Sequence, residues 1–338
     1  MTDSIASVEA VIAVDGAELS GTLATPPGPP APGVLLLGGT FSDLRDGDAD
    51  PGHRPDIPPH GMYRVLADAL AAAGFAVLRF DRRGCGASSG DRPDRAQEIS
   101  DALEAWGWLD RHEAVSGAWA MVGESAGAYV ACRLMAAAAT PRAVVLQGAL
   151  HRSIAGLIDF NAQRARRYWE RGEAARDWMW HHARSEYESA VIGAELLSAM
   201  LDGRSEVAVV DARGTFTRTL DGLDYDLRFA PAEQFRFVSC PTLVLHGGDD
   251  LNVPTEDAFA TARELWAAGN RDVEVTILAR ADHSMQATPP DEDERLRERM
   301  SFASFRRPFH ARYPGVVVDF LSRQADRTSR AGDIPVPS

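Results

Sequence analysis

From about residue 34 to residue 323, short apolar runs alternate with stretches whose apolar residues recur every three or four positions. Residues 34–37 (VLLL) form such a run and end at Gly38-Gly39. Met62, Leu66, Leu70 and Ala73 then follow at helical spacing, with Gly74 as a stop. Residues 75–80, 118–123, 143–147, 242–246 and 273–279 read as further strands. The intervening helices are marked by Ile99, Leu103, Trp106 and Leu109, by residues 128–139 closed by Thr140-Pro141, and by the face of Phe259, Ala262 and Trp266. Strands alternating with helices predict βαβ units, hence an α/β fold with a mostly parallel sheet and helices on both faces. Ahead of them, residues 8–14 and 17–25 flank Asp15-Gly16 and predict an antiparallel hairpin.

The alternation breaks between residues 151 and 235, where three helical segments are expected. Its aromatic residues include Phe160, Tyr168, Trp169, Trp178, Trp180 and Tyr187. An insertion of that size in an α/β sheet predicts a helical cap over the carboxyl ends of the strands. The expected organisation is a core of residues 1–150 and 236–325, a cap over 151–235, and a flexible tail over 326–338.

The 338 residues include 45% apolar ones, enough for a packed core, so a disordered chain is excluded. Net charge is -14, which argues against nucleic acid or an anionic membrane as partner. Every basic residue is arginine, a bias that fits a GC-rich bacterial genome. No apolar run approaches membrane-spanning length and the first residues lack a signal pattern, so a soluble cytoplasmic protein is expected. Cys85, Cys132 and Cys240 are too scattered for a disulfide framework or a cysteine zinc site.

Chemistry concentrates at Gly123-Glu124-Ser125-Ala126-Gly127, a G-x-S-x-G sequence between an apolar strand and a helix. A sharp strand-to-helix turn strains its central residue, and flanking glycines remove the clashes. The Ser125 hydroxyl would then project above the sheet at a helix N-terminus, where negative charge is favoured. A serine hydroxyl needs a base, and the base an orienting acid. His283 follows the last predicted core strand in a polar loop. Asp249 and Asp250 follow the strand at 242–246, with Gly247-Gly248 making the turn. Glu124 and Asp282, each adjacent in sequence to a proposed reacting residue, are assigned structural roles.

In these residues the chain resembles the α/β-hydrolase superfamily over nearly its whole length. The order Ser, Asp, His is that of the superfamily. Its H-G-x-x-D-x-x-V-P pattern fits His246, Gly247, Asp250, Val253 and Pro254, which makes Asp250 the acid and Asp249 the runner-up. Residues 80–90 (FDRRGCGASSG) resemble the turn after the fourth core strand, and residues 38–48 resemble a loop of a bacterial esterase-like branch. The resemblance implies an oxyanion hole from the Ala126 amide plus that of Thr40, with Phe41 next in line. It also implies a serine hydrolase acting on a carboxylic ester or thioester, independent of any cofactor. An acyltransferase or cyclase, a carbon–carbon hydrolase or lyase, and a non-catalytic binding protein stay open as alternatives.

Tyr168, Trp169 and Trp178 are the expected pocket lining, for an apolar or aromatic acyl substrate. No metal site is predicted: Asp46, Asp48 and Asp50 lack the spacing of a calcium loop and read as a solvated acidic loop. Cys85 reads as an ordinary small residue despite Arg82 and Arg83 beside it. No nucleotide-binding glycine loop occurs. A homodimer stays open.

Overall fold

Strand β3 (Ala31–Leu37) shows why this sequence makes a buried parallel sheet. Val34 and Leu36 join the apolar cluster on one face, Leu35 and Leu37 that on the other, as the two-residue period of a strand demands. The computed structural model describes residues 4–220, 227 and 229–332. Helix α1 (Met62–Ala72) and strand β4 (Ala76–Phe80) follow, then α2 (Arg95–Arg111), β5 (Val115–Glu124), α3 (Ala126–Ala136) and β6 (Ala143–Gln147). After the insertion come β9 (Thr242–Gly247), α8 (Glu256–Ala267), β10 (Val273–Leu278), α9 (Glu292–Met300) and α10 (Gly315–Gly332).

The N-terminal hairpin of β1 (Ala6–Val14) and β2 (Ala17–Thr25) pairs antiparallel and joins the sheet through β4. The eight strands lie in the order β1-β2-β4-β3-β5-β6-β9-β10, and from β4 to β10 they run parallel. Helices α2, α3 and α8 cover one face; α1 and α10 cover the other, where Met62, Leu66, Val317 and Phe320 are buried. The chain winds outward one way from β3 and then the other way from β5. The carboxyl ends of those two strands therefore bound the crevice where such sheets place their sites. No described helix is long and apolar enough to cross a membrane.

Between β6 and β9 lie α4 (Ile154–Trp169), α5 (Glu173–His182), α6 (Arg184–Ile192) and α7 (Ala194–Leu201). A hairpin of β7 (Glu206–Asp211) and β8 (Gly214–Thr219) follows, paired among the described residues only with itself. Four helices thus replace the three expected, because the chain breaks at Gly172, Ala183 and Gly193, where the backbone leaves helical angles. These elements carry apolar clusters of their own, one around Tyr168, Met179 and Tyr187, another around Leu196, Val207 and Val209.

Two further expectations need correction. On α8 the buried face is Ala258, Thr261 and Leu265, whereas Phe259 and Trp266 are 53% and 59% exposed. The expected face has the right spacing but is one residue out of phase: small side chains let the helix approach the sheet, and Trp266 instead stacks under Arg271. Residues 326–332 continue α10 rather than begin a tail, since nothing interrupts the helix before Gly332 and Thr328 Oγ1 donates back to the Gln324 carbonyl. Residues 333–338 lie outside the described residues.

Candidate active site

Strand β5 ends at Glu124 and α3 begins at Ala126, so the whole change of direction falls on Ser125. Its φ of 52° and ψ of -115° lie where side chains other than glycine are rarely found. The turn is held because the Ser125 amide donates to the Gln147 carbonyl on β6, at 2.8 Å. Gly127 is required by close approach: a Cβ there would run into the Leu37 carbonyl on β3. Ala126, first in its helix, has no intrahelical acceptor for its amide.

At the ends of β9 and β10, two turns bring Asp250 and His283 together. The Gly248 amide donates to Leu278 O and the Asp249 amide to Ala281 O, tying one turn to the other. His283 Nδ1 lies 2.7 Å from Asp250 Oδ2, while Asp250 Oδ1 accepts from the amides of Asn252 and Val253. His246 adds a second imidazole, its Nε2 3.2 Å from Asp250 Oδ2. Burial alone would raise the Asp250 pKa, but His283 and His246 hold it well below the usual carboxylate range. Burial would likewise depress His283, yet Asp250 and Glu124 lift it above the ordinary imidazole value. Asp249 turns away to Thr288 and Arg280. Asp282 shapes the loop by accepting the amides of Ser284 and Gln286, and burial pushes its carboxyl up to about 6.

The loop after β3 completes the crevice. Among the described residues the amides of Thr40 and Phe41 have no acceptor. That of Gly39 is occupied, donating to Glu124 Oε2 at 2.8 Å, and Ser42 Oγ donates to the same oxygen. Glu124 Oε1 stands 3.7 Å from His283 Nε2, which makes no hydrogen bond among the described residues. Burial raises the Glu124 pKa, with His283 and the Gly39 amide opposing. From its adjacency to Ser125 in sequence, Glu124 is expected to have a structural role only; its side chain both holds the loop and stands beside the imidazole.

Asp46, Asp48 and Asp50 are half-buried, and each is also engaged within the protein. Asp46 pairs with Arg79, Asp48 accepts the amides of His60 and Gly61, and Asp50 accepts those of Gly52 and Gly86. They are spent on folding the loop that carries Thr40 and Phe41. Asp50, His53 and Cys85 bring one donor each within 4.8 Å of one another. Both Asp50 oxygens already serve backbone amides and burial raises the Cys85 thiol, which is poor preparation for a cation.

Ser125, His283, Glu124, Thr40 and Phe41 all open on one cavity of about 690 Å³. Its far wall is the face of α4 that presents Ile154, Leu157, Ile158 and Asn161, at the spacing of one side of a helix. Tyr168, Trp169 and Trp178 do not line it. Tyr168 packs edge-on against Trp178, and Trp169 is stacked by Arg166 and Arg176, about two turns beyond the last lining residues of α4. The aromatic lining comes instead from Phe41, Tyr129, Phe229, Phe302 and Phe305. Arg299 on α9 also faces it, on a helix that sequence reasoning passed over because charged residues fill most of its positions.

The S15 family, described as X-Pro dipeptidyl-peptidase, matches residues 15–285. No curated protein matches the sequence. Among solved structures, an esterase of Pyrococcus furiosus, Pf2001, superposes with a TM-score of 0.57 at 17% identity, covering 96% of this chain and 91% of that one. Est1E of Butyrivibrio proteoclasticus, with ferulic acid bound, gives 0.51 at 16% identity over 88% and 98%. The acylaminoacyl peptidase of Pyrococcus horikoshii gives 0.51 at 13% identity over 90% of this chain and 41% of its own. The family match spans most of the chain, and the structural likenesses agree with it in fold. The chain therefore belongs to the S15 peptidase family within the α/β-hydrolase superfamily, and is a hydrolase of that type.

Proposed function

We propose that this protein is a serine hydrolase that cleaves a carboxylic ester or thioester through Ser125, His283 and Asp250. The observation that carries this reading is the 2.7 Å contact between His283 and Asp250, opening on the same cavity as a serine held at a strained strand-to-helix turn. With Nδ1–H given to Asp250, the imidazole keeps Nε2 as an acceptor. Ser125 Oγ attacks the acyl carbon as Nε2 takes its proton. The oxyanion is met by the amides of Ala126 and Thr40, two donors of the kind worth about 3 kcal/mol each. Collapse expels the leaving group, protonated from Nε2, and water then repeats the sequence on the acyl-enzyme. Glu124 beside Nε2 favours the imidazolium formed at each step.

The family description supports a second reading, in which the scissile bond is a peptide bond after proline. The test is intact-protein mass spectrometry after treatment with a fluorophosphonate, followed by rates on p-nitrophenyl esters, thioesters and an Xaa-Pro p-nitroanilide. A single adduct on the wild type that is absent from Ser125→Ala, with turnover of esters, is the expected result. Turnover of the anilide alone would favour the peptidase reading. Near-wild-type activity in folded Ser125→Ala would overturn both.

A further inference from the structure

We propose that Arg299 anchors a negatively charged group of the substrate, so that the compound cleaved at Ser125 is an acyl ester with a carboxylate on an otherwise apolar body. This deepens the serine-hydrolase reading and rests on it.

The cavity is apolar along Leu157, Leu196, Met200 and Phe229, which suits a hydrocarbon body. Its acidic groups are mostly spoken for: Glu186 pairs with Arg164 at 2.7 Å, Glu124 holds Gly39 and Ser42, and Asp282 holds its own loop. Among its cations, Arg218 is bonded to Ser185 and Ser189, Arg95 pairs with Glu98, and Arg54 lies 3.8 Å from Asp43. Arg218 has no carboxylate in contact either, but both its terminal nitrogens are bonded, whereas Arg299 keeps more of its fork free. Among the described residues its only hydrogen bond runs from Nη2 to the Asn252 side-chain oxygen, and it has no carboxylate partner. The Phe302 ring lies 5.5 Å from its guanidinium carbon.

A half-buried guanidinium with no carboxylate in contact is costly; Arg164 adds to that cost, and Glu186, Asp250 and Asp282 offset only part of it from a distance. Burial lowers the Arg299 pKa to about 10, so it remains cationic at neutral pH. Asn252 takes one N–H of Nη2, and the other N–H of Nη2 together with Nε or Nη1 still forms an edge that matches a carboxylate with two parallel hydrogen bonds. Asn252 is two residues beyond Asp250, and the Arg299 charge is felt by both His283 and Asp250. The anion would therefore sit beside the reacting centre rather than at the mouth.

The test compares p-nitrophenyl hydrogen glutarate with p-nitrophenyl butanoate, an ester of similar length without the charge. The wild type should favour the glutarate, and Arg299→Gln should lower the ratio of the two kcat/KM values by about 10- to 100-fold. Arg299→Lys, which keeps the charge without the fork, should fall between. A ratio unchanged within about twofold overturns the proposal. A separate arm measures calorimetric binding of monomethyl glutarate to Ser125→Ala, with and without Arg299→Gln. Arg299-dependent binding supports the anchor even if no ester is turned over and no fluorophosphonate adduct forms, an outcome that would sink the serine-hydrolase reading alone. Absence of Arg299-dependent binding overturns the anchor alone. Should the Arg299 variants fail to fold, protection of wild-type Ser125 from the fluorophosphonate decides. Stronger protection by monomethyl glutarate than by methyl butanoate supports the anchor, and equal protection refutes it.

Discussion

The carboxylate of Glu124 meets the Gly39 amide, the Ser42 hydroxyl and the edge of the His283 ring. Two negative charges therefore flank His283, and both raise its pKa. On the proposed mechanism the imidazole must be neutral to accept the serine proton. The kcat/KM should thus be lost as pH falls through a midpoint above the ordinary histidine value of about 6.5. Asp250→Asn removes the charge with the larger effect on His283, so the midpoint should move down while the plateau falls by a factor on the order of 10⁴. A pH profile whose midpoint stays put would separate His283 from the proton transfer. Gly148 tests the same ring from the other side. It sits at φ +58°, and a Cβ there would stand 2.9 Å from His283 Cε1. Gly148→Ala should lower kcat/KM by at least about tenfold through displacement of the imidazole, measured alongside a melting curve to show that the fold survives. That Ser125, Asp250 and His283 share one end of the sheet was legible because each follows a strand that announces itself by apolarity. The places of Glu124 and Arg299 were not, because a side chain's rotamer and the lack of a contacting carboxylate leave no trace in spacing.

Among the elements, the strands were legible and the faces of helices less so. The error on α8 arises because a helix with apolar residues on adjacent stripes offers two candidate faces, and only packing against the sheet selects one. The β7–β8 hairpin was missed although Val207 and Val209 alternate with exposed residues, a two-residue period obscured by the expectation of helices. Helix α10 buries Val317, Phe320 and Leu321 against the sheet, and none of its residues lines the cavity. Phe320→Ala should cost about 3–5 kcal/mol of stability, seen as a lower melting temperature with the pH profile of kcat/KM unmoved. A shifted profile would tie α10 to the site in a way the contacts do not suggest.

At the scale of the molecule, the apolar clusters of the inserted segment are distinct from the two that flank the sheet, and α9 contributes Leu296 and Met300 to the former. Opening free energy should differ accordingly. Hydrogen exchange of peptides covering residues 206–219 should be faster than that of β5 and β6, which have strands on both sides. Equal protection would mean that inserted segment and sheet unfold as one unit.

The position of β9 beside β6 has a bearing on how the chain is made. The two strands pair in parallel although the whole inserted segment separates them, and β10 then adds outside β9. A nascent chain emerging from the ribosome can form β1 to β6 and the serine turn early, but the aspartate and the histidine follow only after the whole inserted segment. Until residue 283 has emerged the serine is inert, and hydrolytic activity on the proposed mechanism cannot begin.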